Sequence, residues 1–145
     1  MMQTSPDNSS ESAVDRSPIS AGTPNAIYNL PMRKLLHVDD EADGADFAAV
    51  LLRSHGLEVV VVHSASDALE ILRKQRDIDI VLSDIMMPGM TGLQLAENIQ
   101  LMYPSIKIVL MSGYVLPELL RNRERDYLFV EKPYKMDTLL KVLRS

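Results

Sequence analysis

The sequence predicts an α/β protein, a doubly wound parallel sheet of five strands covered by helices on both faces. From Met32 onward, short apolar runs alternate with segments of helical period, five times in series. The apolar runs are continuous rather than alternating, as in Val59-Val60-Val61-Val62, which is the pattern of strands buried on both faces. A further observation concerns chemistry: four of the runs end in polar residues, Asp39-Asp40-Glu41, Asp84, Ser112 and Lys132-Pro133. The carboxyl ends of parallel strands share one edge of a sheet, where open α/β sheets place their ligand sites.

The elements follow in order. Leu35 to Val38 forms the first strand, and a helix is expected from about Glu41 to Ser54, with Phe47, Val50 and Leu51 at i, i+3 and i+4. Gly56 stops it where a left-handed residue is wanted. After the second strand, Val59 to Val62, Ser64 is the N-cap of a helix with Ala65, Ala68, Leu69 and Leu72 on one face. Ile80 to Leu82 is the third strand. Thr91 or Gly92 opens a helix with Leu95, Ile99 and Met102 inward, and Pro104 closes it. The fourth strand is Ile106 to Met111, the fourth helix Pro117 to about Arg123, the fifth strand Leu128 to Val130, and a last helix carries Leu139, Leu140 and Leu143.

Residues 1–31 have no period of either kind and are rich in Ser, Pro, Asn, Thr and Asp, so they are expected to be a disordered leader or linker ahead of a domain at 32–145. Within the leader, Ala26-Ile27-Tyr28-Asn29-Leu30 is a candidate for docking on the domain. A chain of 145 residues, 46% hydrophobic, supports one ordinary core. The net charge of -5 argues against a nucleic-acid or anionic-membrane surface, both of which need basic patches. With no cysteine, thiolate metal sites, disulfides and thiol nucleophiles are excluded. No apolar stretch reaches the roughly 20 residues of a membrane-spanning helix, and the N-terminus lacks a secretory pattern. A soluble, cytoplasmic protein is expected.

Adjacent acids at a strand end repel one another, and burying both ionised is costly unless a cation joins them. Magnesium takes oxygen ligands and keeps several waters, so Asp40 and Asp84 suit it directly, with Asp39 acting through a water. The alternative for Asp39-Asp40-Glu41 is that the acids cap the helix that follows. Asp84 precedes Ile85-Met86-Met87-Pro88-Gly89-Met90-Thr91-Gly92, a tight loop in which Pro sets one dihedral and Gly permits another. A carboxylate there can attack phosphorus to form an acyl phosphate if a metal screens the charge, or it can simply form a turn. Ser112 offers a hydroxyl to a phosphoryl oxygen, and Gly113 lets backbone approach. Lys132 supplies a compact cation for a phosphate or for Asp84, and Pro133 hints at a cis peptide. His37, His55 and His63 are assigned structural or surface roles.

Together these residues resemble the receiver domain of two-component response regulators, over essentially all of Arg33 to Arg144. The resemblance rests on Asp39-Asp40, on Asp84 with Met87-Pro88-Gly89-Met90-Thr91-Gly92 behind it, on Ser112, on Lys132-Pro133, and on the aromatic Phe129 three residues before the lysine. It implies a CheY-like, flavodoxin-like sheet of strand order 2-1-3-4-5 with five helices. It implies that Asp84 accepts a phosphoryl group from a sensor histidine kinase or a histidine phosphotransfer protein. Mg2+ would be held by Asp39, Asp40, Asp84 and the backbone carbonyl of Met86, and Lys132 and Ser112 would bind the phosphoryl oxygens. Ser112 and Phe129 would form the conformational switch. Apart from magnesium-dependent self-phosphorylation and autodephosphorylation, no enzymatic activity is implied.

Tyr114, Val115 and Leu116 after the Ser-Gly pair, and Arg123-Glu124-Arg125-Asp126-Tyr127 before the fifth strand, depart from the family pattern on the output face. Output is expected through contact with a downstream protein, without direct nucleic-acid or membrane binding. Leu116, Leu119 and Leu120 make a phosphorylation-dependent homodimer conceivable. Two other classes compete. A phosphorylation-independent docking adaptor of receiver fold predicts erosion of the acid pair or the lysine, which the chain does not show. A haloacid-dehalogenase-type aspartyl phosphatase wants a second Asp two residues beyond its nucleophile, where Met86 stands.

Overall fold

Five apolar runs pair side by side, all parallel, in a computed structural model that describes residues 33–113 and 127–145. The strands are β1 (Lys34–Val38), β2 (Glu58–Val62), β3 (Ile80–Asp84), β4 (Lys107–Ser112) and β5 (Leu128–Glu131). Between and after them lie α1 (Ala42–Ser54), α2 (Ala65–Lys74), α3 (Gly92–Met102) and α4 (Met136–Arg144). The strand order is β2-β1-β3-β4-β5, the doubly wound arrangement expected. Among the described residues there are four helices; the helix expected from Pro117 to Arg123 lies outside them, as do residues 1–31 and Tyr114 to Leu120.

The central strands are apolar throughout because both their faces are covered. All five residues of β3 are buried, as are four of the five in β1. Leu36, Val38, Val81, Leu110 and their neighbours pack against α2 and α3 through Ala68, Leu72, Leu95 and Ile99. On the opposite face Leu35, Leu82, Val109 and Met111 pack with Ala49, Leu52, Leu139, Leu140 and Leu143 of α1 and α4. Each large apolar side chain so placed contributes about 1.5–3 kcal/mol relative to exposure. β2 is an edge strand, and its burial is incomplete: Val59 and Val62 are buried, Val60 and Val61 only half-buried.

Two helical faces differ from expectation. In α1 the residues turned to the sheet are Ala45, Ala48, Ala49 and Leu52, whereas Phe47 is 68% exposed and Val50 60%. Small residues let the helix lie close to the sheet, so the bulkier ones fall outside. In α3, Leu95 and Ile99 are buried as expected but Met102, in the last turn, is exposed. The ends follow the sequence more closely. Gly56 has φ +91 after the C-cap His55, and the Ser64 hydroxyl accepts the N–H of Asp67 at 3.1 Å.

Candidate functional site

The register of the sheet sets the level of every candidate residue. Val38 pairs with Ser83, Asp84 with Met111, and Ser112 with Glu131. Asp39, Asp84, Ser112 and Lys132 therefore stand at successive strand tips on one edge, Asp39 and Lys132 each one residue past its strand.

The lysine closes the group. Its Nζ lies 2.7 Å from Asp84 Oδ1 and 3.8 Å from Asp39 Oδ2. The Lys132 N–H donates to the Ser112 carbonyl at 2.8 Å, and the Lys132–Pro133 peptide is cis. Asp39 is held in place: its N–H donates to the Val62 carbonyl at 3.1 Å, and its Oδ1 accepts the Glu41 N–H at 2.9 Å. That last bond is a local turn. Glu41, the N-cap of α1, makes no side-chain cap hydrogen bond.

Asp39 and Asp84 are buried, while Asp40 is exposed. One carboxylate oxygen from each of the three lies within 4.8 Å of the others. Burial, opposed by the Lys132 ammonium and reinforced by Asp39, pushes the Asp84 carboxyl up to about 6. Burial alone would lower Lys132, but its bond to Asp84 and the charges of Asp84 and Asp39 leave it raised. A crowded set of acids sharing one cation, made only of oxygen donors, suits a hard divalent ion.

The loop after Asp84 is shaped by its glycines and its cap. Gly89 has φ +75. The Gly92 N–H donates to the Ile85 carbonyl at 2.8 Å, folding the loop back on the strand. The Thr91 hydroxyl accepts the Gln94 N–H at 3.2 Å, and Gln94 Oε1 accepts the Thr91 N–H at 2.9 Å, a reciprocal cap of α3. Met86, whose carbonyl is a candidate ligand, lies in this loop with its side chain exposed. Ser112 is buried at the tip of β4. Phe129, opposite Leu110 on β5, is half-buried against the α2/α3 side of the core.

Two participants were not singled out from sequence for this site. His63 Nδ1 donates to the Asp39 carbonyl at 2.9 Å and so buttresses the acid pair from β2. The signal was its place one residue past a strand that pairs with β1. His37 is buried beneath the site, with Nδ1 3.3 Å from the Leu82 carbonyl and Nε2 without a partner among the described residues.

A family model described as "Response regulator receiver domain" matches residues 35–144. The chain is 32% identical over 102 residues to a response regulator receiver protein of Anaeromyxobacter sp. (strain Fw109-5), covering 70% of this chain and 42% of that protein. It is 35% identical over 113 residues to the CAI-1 autoinducer sensor kinase/phosphatase CqsS of Vibrio cholerae, covering 74% of this chain and 16% of that protein. Among solved structures, the response regulator TrrA of Thermotoga maritima, in complex with Mg2+-BeF, matches with a TM-score of 0.69 and 27% identity, covering 78% of this chain and 97% of that one. The chain belongs to the response regulator receiver family of two-component signalling. It spans less than half the length of these two curated relatives. Among the described residues no helix is long and apolar enough to cross a membrane.

Proposed function

We propose that the chain is a phosphoacceptor switch, with residues 32–145 as the receiver and 1–31 as its leader. The observation that carries this reading is the 2.7 Å contact of Lys132 with Asp84 inside a group of three clustered carboxylates. The ligand set for Mg2+ would be Asp39, Asp40, Asp84 and the Met86 carbonyl. Bound there, the ion would neutralise the acids and screen an incoming phosphoryl group.

A carboxyl raised to about 6 is largely ionised at neutral pH yet more basic than an ordinary aspartate, which suits a nucleophile. An Asp84 oxygen attacks the phosphorus of a phosphohistidine on a sensor kinase or histidine phosphotransfer protein. The P–N bond breaks, the imidazole leaves with its electron pair, and a mixed anhydride remains on Asp84. Lys132 exchanges its carboxylate partner for a phosphoryl oxygen, and the Ser112 hydroxyl donates to another. Movement of Ser112 toward the phosphate makes room for Phe129 to turn inward, which alters the surface that a downstream protein reads. The exposed Phe47 and Val50 lie on the helix that follows the acid pair and would face a docking donor.

The test is intact-protein mass after incubation with acetyl phosphate and magnesium. One added phosphoryl group that requires magnesium and is absent in Asp84→Asn is the expected result. No addition to the folded, magnesium-binding parent would favour the docking adaptor.

A further inference from the structure

Asp39 is gripped at three points, and one of the grips is a side chain from the neighbouring strand. Its N–H donates to the Val62 carbonyl at 3.1 Å, its Oδ1 accepts the Glu41 N–H at 2.9 Å, and its own carbonyl lies 2.9 Å from His63 Nδ1. A carbonyl only accepts, so Nδ1 carries the ring proton. Of these three bonds, the last is the one that a substitution can remove without touching an acid.

That carbonyl belongs to the peptide joining Asp39 to Asp40. Because the peptide is planar, the direction of the carbonyl fixes ψ of Asp39 and with it the course of the chain into Asp40. Asp40 is exposed, so packing does little to orient it, yet one of its carboxylate oxygens lies within 4.8 Å of oxygens from Asp39 and Asp84. His63 is well placed to hold the peptide. Val62 before it pairs with Val38 in the sheet, and Ser64 after it is the N-cap of α2, its hydroxyl accepting the Asp67 N–H at 3.1 Å. The imidazole thus stands on a turn fixed at both sides. It is itself exposed, so water would hydrate the Asp39 carbonyl in its absence and the bond adds little to stability. Water does not supply a fixed direction.

We propose that His63 is a positioning residue for the divalent-cation site. Its Nδ1–H orients the Asp39–Asp40 peptide and so holds the Asp40 carboxylate where it meets those of Asp39 and Asp84 around one ion. The ring is not itself among the grouped donors. This role rests on the reading of the three acids as magnesium ligands.

The experiment is isothermal titration of the full chain with magnesium chloride at about pH 8, above the ordinary imidazole range. It compares the parent with His63→Leu and His63→Asn, each also followed through a thermal melt. Leu has no donor, whereas the Asn amide nitrogen stands as many bonds from Cα as Nδ1 and donates in its place. His63→Leu should bind magnesium about three- to tenfold more weakly. That is less than the roughly 10–100-fold usual for groups bonded to a ligand directly, since His63 acts through a peptide. Its melting temperature should stay within about 3 °C of the parent's, and His63→Asn should recover most of the affinity. Unchanged affinity in folded His63→Leu, or a loss that folded His63→Asn does not recover, would overturn the proposal and leave the three acids as the ligand set. No binding of magnesium by the parent would overturn the ligand set and this role together. A second check uses the unaltered chain, so a misfolded variant cannot spoil it. A long-range proton–nitrogen NMR spectrum should show His63 as the Nδ1–H tautomer, and the Nε2–H form would overturn the proposal.

Discussion

The backbone of Asp84 passes so close to Gly92 that a Cβ on the glycine would fall far inside van der Waals contact with the Asp84 carbonyl oxygen, and within 2.8 Å of its carbonyl carbon. The obstruction is backbone, held by the Ser83 hydroxyl at 2.9 Å and by the Gly92 N–H bond to the adjacent Ile85 carbonyl. Gly92→Ala should therefore displace the strand tip that carries the acceptor. We expect it to cost about 1–3 kcal/mol or more in urea unfolding. Gly44→Ala is the control. In α1 its new Cβ would meet only Glu41 Oε1 at 3.8 Å, and a helical Gly-to-Ala change should stabilise by about 0.5–1 kcal/mol.

Lys132 lowers the Asp84 carboxyl against the larger upward effect of burial. Lys132→Ala should therefore raise it above about 6, by roughly 1–3 pH units, in a carboxyl-carbon NMR titration without divalent metal. The same shift bears on stability. An acid whose folded value exceeds its ordinary 3.8 contributes stability that is full below that value and lost as pH rises through about 6. Asp84→Asn should remove this component, so its melting temperature relative to the parent should climb between pH 4 and 7. A constant difference across that window would contradict the assignment.

His37 is a buried histidine whose pKa burial holds below 6.5. A depressed histidine is neutral in the fold. Its contribution is present above 6.5 and lost as pH falls below it, because the unfolded chain then takes up the proton first. Its Nε2 also lacks a partner among the described residues. His37→Val should raise the melting temperature at pH 7.5, with about 1 kcal/mol, or some 4 °C, a reasonable scale. The gain should widen toward pH 5, as followed by circular dichroism melts.

The strand tips were legible in the sequence because a parallel strand is a short continuous apolar run, and Asp84, Ser112 and the two residues that follow such runs, Asp39 and Lys132, mark where it ends. The face of α1 was not. Periodicity favours bulky residues, so Phe47, Val50 and Leu51 were expected inward, but the sheet accepts Ala45, Ala48 and Ala49 at close range with Leu52 as the anchor. Close packing selects small side chains that a hydrophobic pattern undervalues. Nor could a local pattern show the buttress from His63 or the contact of Gly92 with Asp84, since both depend on neighbours brought together by the fold. The difference is measurable: Phe47→Ser should change unfolding free energy by no more than about 0.5 kcal/mol. Leu52→Ala should cost about 2–5 kcal/mol.

Asp40 differs from the other two acids of the cluster in being exposed. The Asp39 carboxylate accepts the Glu41 N–H and lies 3.8 Å from Lys132 Nζ, and the Asp84 carboxylate lies 2.7 Å from the same nitrogen, so altering either removes a contact within the fold as well as a candidate metal ligand. Asp40→Asn removes one charge from the cluster while leaving those bonds in place. If the carboxylates hold Mg2+, this variant should keep the parent's melting temperature within about 2 °C and bind the ion at least about tenfold more weakly by isothermal titration. Adding saturating magnesium to the parent should raise its melting temperature, since a ligand specific for the folded state stabilises by mass action. Equal magnesium affinities in parent and Asp40→Asn would place the ion elsewhere, and the acid cluster would then be a charged strand edge with Lys132 as its counter-ion.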